Sequence, residues 1–284
     1  MGRESARIQI IEKEARHILS KSKLPGLDFC VNPYVGCEHA CVYCYACFMR
    51  KFTGHENDVW GQFVSVKTNG VELFRHDCRK LHWNDSLFFG SVTDAYQPVE
   101  RDYQITRGML EILSQNPEMY LDLSILTKSD LVVRDIDLLK KLPNISVGFS
   151  IAMLDEKARE IFEPGATSIS RRLDALRTLA DAGLETFVFI GPILPGITPL
   201  ADLFARLAGI TGSVHGESLN CNCGNLPSIR QAVMRYKPEL LSDFCTNVVS
   251  DSYWSAVEEE FYALSARYNI PVQGFYRHGT ESEN

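Results

Sequence analysis

Apolar positions along the chain follow two alternating patterns. Short runs rich in Val, Ile, Leu and Phe occur at 87–89, 121–126, 145–151 and 186–190, with a weaker one at 213–215. A further run at 27–35 brings the strand candidates to six. Between them the period lengthens to that of a helix. Over 168–182, Ile169, Leu173, Leu176 and Ala180 recur at spacings of 4, 3 and 4, with Gly183 just beyond, where a helix C-cap favours glycine. Later, Trp254, Val257, Phe261, Leu264 and Tyr268 recur at 3, 4, 3 and 4, which predicts a helix covering the sheet with its aromatic side chains in the core. Alternating strands and helices predict an α/β fold around a parallel sheet. Six units are too few to close an eight-fold barrel, so a partial (β/α)6 barrel of TIM type with a C-terminal covering helix is expected. Reactive groups then belong at the C-terminal ends of the strands.

No repeat, low-complexity linker or composition shift divides the 284 residues, so one domain is expected. Its parts would be an N-terminal extension (1–26), the partial barrel (27–219), a C-terminal segment (220–272) and a tail (273–284). A chain of this length buries roughly three quarters of its unfolded surface and needs no staples. Its nine cysteines are an odd number, so complete internal disulfide pairing is impossible. Charged residues interrupt 1–20, and the longest apolar stretch, 186–197, is broken by Gly191, Pro192, Pro195 and Gly196. Neither resembles a signal peptide or a membrane span. A cytoplasmic protein is therefore expected, with reduced thiols that serve a metal or catalysis. With 29 Lys+Arg against 36 Asp+Glu the net charge is −7, which disfavours duplex nucleic acid as a partner, although a local basic channel can sit on an acidic protein.

The densest chemical feature is Cys37-Glu-His-Ala-Cys41-Val-Tyr-Cys44, led by Asn32-Pro-Tyr-Val-Gly36 and followed by Tyr45-Ala46-Cys47. Soft thiolates at close spacing select zinc or an iron–sulfur cluster. Zinc usually takes two CxxC pairs or matching His partners, and this segment supplies neither. Three thiolates on a four-iron cluster leave one iron open to a substrate or cosubstrate. Cys37-x3-Cys41-x2-Cys44, with Tyr43 before the third cysteine, resembles the cluster loop of radical SAM enzymes. The longer strings, including Gly90-Ser-Val-Thr-Asp94-Ala-Tyr-Gln-Pro98, Leu126-Thr-Lys-Ser-Asp130 and Glu163-Pro-Gly165, resemble the subgroup related to spore photoproduct lyase.

By that resemblance, Cys37, Cys41 and Cys44 hold a [4Fe–4S] cluster whose open iron binds S-adenosylmethionine. One electron, from a flavodoxin- or ferredoxin-type donor, yields a 5′-deoxyadenosyl radical that abstracts hydrogen from substrate in an oxygen-sensitive reaction. The resemblance further implies that Ser91, Thr93 and Asp94 meet the methionine ammonium, Lys128 its carboxylate, Ser150 the ribose, and Tyr43 and the 191–196 loop the adenine. Ser, Thr, Asp and Gly also end strands routinely, and Tyr43 is equally natural as a core residue. Arg171 and Arg172 begin a helix, where a solvated face or an acid partner is as natural as a cosubstrate contact.

Cys221, Cys223 and Cys245 come after the sixth strand and are expected to bind an auxiliary iron–sulfur cluster, with Cys30, Cys47 or Cys78 available as a fourth ligand. Together with the charge, this favours a small-molecule substrate, a nucleoside or other metabolite, with sulfur insertion among the outcomes. The alternative is a nucleic-acid repair lyase using Cys47 or Tyr96 as hydrogen donor.

Overall fold

A computed structural model describes residues 8–279. Its strands are β1 (Gln9–Lys13), β2 (Leu19–Lys21), β3 (Phe29–Val31), β4 (Tyr34–Val35), β5 (Phe63–Lys67), β6 (Ser86–Phe89), β7 (Asp122–Thr127), β8 (Ile145–Ser150), β9 (Glu185–Ile193), β10 (Ser213–Ser218) and β11 (Val272–Tyr276). The main sheet runs β11-β10-β9-β8-β7-β6-β3-β2. From β3 to β11 every pairing is parallel, and only β2, on the far edge, is antiparallel. The six expected strands are β3 and β6 to β10, adjacent in chain order. The sheet does not close on itself, so the molecule is a partial barrel.

Period-2 alternation divides the sheet into two faces. Val31, Leu87, Phe89, Ile125, Val147 and Val188 are buried beneath the helices. Phe88, Ser124, Leu126, Phe187, Phe189, His215 and Glu217 point to the other face, the barrel lumen, and stay half-exposed. The covering helix is Asp251–Tyr268, capped by the Ser250 hydroxyl, with Trp254, Val257, Phe261 and Leu264 buried. The helix expected over 168–182 is Ile169–Asp181, capped by Ser168.

Two expectations change. The run 27–35 is two strands in different sheets, because Pro33, which has no N–H to donate, separates β3 from β4. The tail expected from 273 begins as β11, which pairs in parallel with β10 and so satisfies an edge that would otherwise expose its backbone groups. A second, unexpected sheet runs β1-β5-β4, and the cysteine loop leaves it at the end of β4. Among the described residues no helix is long and apolar enough to cross a membrane.

Candidate metal centre and active site

The cysteine loop starts at Gly36, which has φ +87°, and a Cβ there would sit 2.4 Å from the Phe63 carbonyl oxygen. Only glycine allows β4 to turn so tightly against β5. Cys37 and Cys41 are buried, Cys44 is half-buried, and all three are free thiols. Burial and the neighbouring charges of Asp94, Cys41 and Cys44 push the Cys37 thiol well above its ordinary range. Burial pushes Cys41 up to about 12 and raises Cys44 as well. Three crowded anions are thus costly until a cation neutralises them, as metal loading does. Among the described residues no three His, Cys, Asp or Glu side chains gather closely enough for a single ion. The donor set at this loop, thiolate alone, is that of an iron–sulfur cluster. Two buried polar atoms that have no partner among the described residues, Trp60 Nε1 and Asn225 Oδ1, also border Cys44.

Two walls clamp the loop. On one side the Val42 amide donates to the Phe162 carbonyl at 2.9 Å and the Gly165 amide to the His39 carbonyl at 3.0 Å. A Cβ at Gly165 would lie 1.9 Å from the Glu38 carbonyl oxygen, so this approach requires glycine. The Tyr43 hydroxyl donates to Glu163, which is fully buried and paired with the equally buried Arg172. Arg172 also donates to the carbonyls of Thr167 at 2.8 Å and Ser150 at 3.0 Å, which ties the loop to the end of β8. Burial alone would raise the Glu163 carboxyl, but Arg172 and Lys128 hold it below its ordinary value. On the other side Glu38 accepts from the Val99 amide at 2.6 Å, Thr93 donates to the Gly36 carbonyl at 2.6 Å, and His39 Nδ1 lies 3.2 Å from Asp94.

The residues expected around the cosubstrate divide into two groups. Asp94 places both oxygens on this protein's own groups: Tyr96 N and Thr127 Oγ1 on one, Lys128 N and His39 on the other. Burial opposes its charge, yet His39 and these donors lower its pKa to about 2. Thr93 is likewise committed, accepting from Gln97 at 2.9 Å while donating to Gly36. Ser91 pairs with Asn32 at 3.0 Å, and Ser150 donates to the Gly191 carbonyl at 3.2 Å. Lys128 differs. Its ammonium lies 5.7 Å above the Tyr43 ring, feels the charges of Cys41 and Glu163, and has no carboxylate within 4.0 Å among the described residues. An ammonium in this state can pair with a carboxylate.

The Radical SAM superfamily profile matches residues 31–203. The chain belongs to the radical SAM superfamily. Membership implies a [4Fe–4S] cluster and S-adenosylmethionine as cofactors. An uncharacterized protein of Methanocaldococcus jannaschii is 37% identical over 216 residues, covering 76% of this chain and 80% of that one. A radical SAM Nalpha-GlyT isomerase of Pseudomonas phage M6 is 29% identical over 183 residues, 63% of this chain and 36% of the isomerase. Among solved structures, spore photoproduct lyase complexed with dinucleoside spore photoproduct superposes with a TM-score of 0.69 over 94% of this chain and 81% of the lyase, at 16% identity. That last likeness shows a shared radical SAM fold.

The remaining cysteines lie in several places. Cys221 and Cys223 form a 3₁₀ turn that packs on the one holding Cys47, and the Cys47 thiol lies 3.9 Å from the Cys223 carbonyl. Cys245 sits on the helix Leu241–Asn247, which packs against Leu226–Tyr236 and Pro238–Leu240, and Leu226–Tyr236 in turn packs on the Cys221–Cys223 turn. Cys30 shares its register and face with Phe88, while Cys78 ends a distant helix and donates to the Arg75 carbonyl. Tyr96 is fully buried, its hydroxyl donating to Asp135 at 3.1 Å, so it faces away from the lumen. Sequence reasoning missed the Glu163–Arg172 pair, Trp60 and the aromatic lumen wall. The adjacent Phe-x-Phe of β9, with glycines at 148 and 191, was the available signal for that wall.

Proposed function

We propose that this radical SAM enzyme abstracts hydrogen from a small planar substrate, a nucleoside or a similar metabolite, held in the barrel lumen. Supporting this is an aromatic wall made possible by glycines. A Cβ at Gly148 would lie 2.2 Å from the Phe187 ring, and one at Gly191 would lie 2.2 Å from the Phe189 ring, so both rings lie flat on the sheet. His215 stacks on Tyr276 at 6.2 Å and 10°, and Tyr276 on Phe189 at 6.4 Å and 20°. Such a surface offers a planar ring about 1–3 kcal/mol of stacking per base-sized group.

Cys37, Cys41 and Cys44 would hold the cluster, Lys128 the methionine carboxylate, Ser150 the ribose edge, and Tyr43 the floor beneath Lys128. When bound, the cluster and S-adenosylmethionine supply the 5′-deoxyadenosyl radical, given an electron from a flavodoxin- or ferredoxin-type donor in the reducing cytoplasm. Ser91, Thr93 and Asp94 act from behind, fixing the loop that carries these groups. Cys221 and Cys223, completed by Cys47 in place of Cys245, suit an auxiliary cluster able to anchor substrate or supply sulfur for C–S bond formation.

Deuterated nucleosides, incubated with reduced enzyme and S-adenosylmethionine, should pass deuterium into 5′-deoxyadenosine. Transfer from a thymine-dimer oligonucleotide instead would replace the small-molecule reading with a repair lyase. For the second site, anaerobically reconstituted protein should carry more than the roughly four irons of one cluster. An iron content unchanged by C221A, C223A and C47A would remove it.

A further inference from the structure

Behind Cys44 lies a residue that no cosubstrate or substrate role accounts for. Trp60 stands edge-on to Phe63 at 6.0 Å and 83°, and although the ring is half-buried, its Nε1 is buried and makes no hydrogen bond among the described residues. A buried donor left unpaired costs about 1–3 kcal/mol, so native proteins rarely tolerate one without a reason. Its indole borders Cys44, whose sulfur can accept the bond it lacks.

The placement is built into the backbone. Gly61, at φ +92°, presses on the cysteine loop so closely that a Cβ would lie 2.3 Å from the Ala40 Cβ. Two residues on, the Phe63 carbonyl is the group against which Gly36 turns. The segment carrying Trp60 therefore touches the loop both before Cys37 and between Cys37 and Cys41.

We propose that the Trp60 indole N–H donates a hydrogen bond to the Cys44 sulfur and thereby raises the reduction potential of the cluster this thiolate holds. The inference rests on Cys44 being a cluster ligand. An electron added to the cluster increases the negative charge on its sulfurs, so a donor aimed at one of them favours the reduced state. A single N–H of ordinary strength shifts the redox equilibrium about tenfold, which is about 59 mV for a one-electron couple.

W60F keeps a ring in place and removes the donor. Reconstituted W60F, titrated against potential and followed by the electron paramagnetic resonance of the reduced cluster, should show a midpoint lower by about 59 mV. An unchanged midpoint at equal iron content would overturn the proposal. If W60F fails to retain iron, wild-type protein with indole-¹⁵N tryptophan should show a nitrogen hyperfine coupling at the reduced cluster. Absence of that coupling would overturn it equally. Wild-type protein that binds no iron would instead overturn the assignment of Cys44, and the inference with it.

Discussion

The loop from Gly36 to Ala46 and the mouth from Asn220 to Asn225 adjoin each other, joined by the Asn225 side-chain amide on the Cys44 carbonyl. They are built in opposite ways. The loop is gripped by glycine contacts, a fully buried ion pair and the amides of Gly165 and Val99 from two other segments. The mouth is a half-exposed 3₁₀ turn, held chiefly by Asn220 accepting from the Asn222 amide at 2.9 Å and by Asn222 reaching the Gly279 carbonyl at 3.3 Å. Chemistry shared across a superfamily calls for the first kind of construction, since a reactive cofactor must be positioned rigidly. Substrate choice calls for the second, because one scaffold serves many reactions by varying its loops.

That contrast is most directly broken at Arg172. Replacing it by Met leaves Glu163 buried without its partner, which should cost about 3–5 kcal/mol. Thermal unfolding should then fall by on the order of 10 °C, with iron retention lost alongside. Gly165→Ala drives a methyl into the Glu38 carbonyl and should cost about 1–3 kcal/mol, visible as a lower urea midpoint.

Asp94 tests the same region by pH. Its folded pKa of about 2 lies below the ordinary 3.8, so its stabilisation is complete above 3.8 and disappears as pH falls through about 2. The shift amounts to about 2 kcal/mol. Asp94→Asn should lose that amount at neutral pH and flatten the acid limb of a stability–pH profile; an unaltered limb would show that the carboxylate is not the loop's anchor.

On the lumen side, Phe189→Ala should change stability by less than about 1 kcal/mol while raising KM for a stacked substrate. Cys245→Ser should change neither iron content nor activity, in contrast to Cys223→Ser. Equal losses in those two variants would restore Cys245 to the second site.

Much of the architecture was legible because the main strands carry local signals. The runs ending at Phe89, Leu126 and Ser150 announce parallel strands by apolar content and by the small or polar residues at their C-terminal ends. The small sheet was not legible, since β5 (Phe63–Lys67) pairs in parallel with β1, 54 residues earlier, and such long-range pairing leaves no local trace. β11 is short and half-exposed at an edge, so it reads as a tail. In the site, the CxxxCxxC spacing is a local pattern and could be read directly. The donors around Asp94 were not legible: a carboxylate after a strand looks free until Tyr96 N, Thr127 Oγ1, Lys128 N and His39 are seen around it. Arg172 looked like a first-turn cation, and only the packing of Glu163 above it shows a side chain with no exposure.

The parts of the site are spread along the chain in a definite order. The thiols lie by residue 44, the ion pair that grips them is complete at residue 172, and the last wall of the lumen arrives with Tyr276. A chain that ends before Arg172 lacks the partner of Glu163, whereas one that ends before Val272 keeps the ion pair and lacks the strand that carries Tyr276. The grip on the cysteine loop and the wall of the lumen are thus separable along the chain, and a truncation can remove the second while leaving the residues of the first in place.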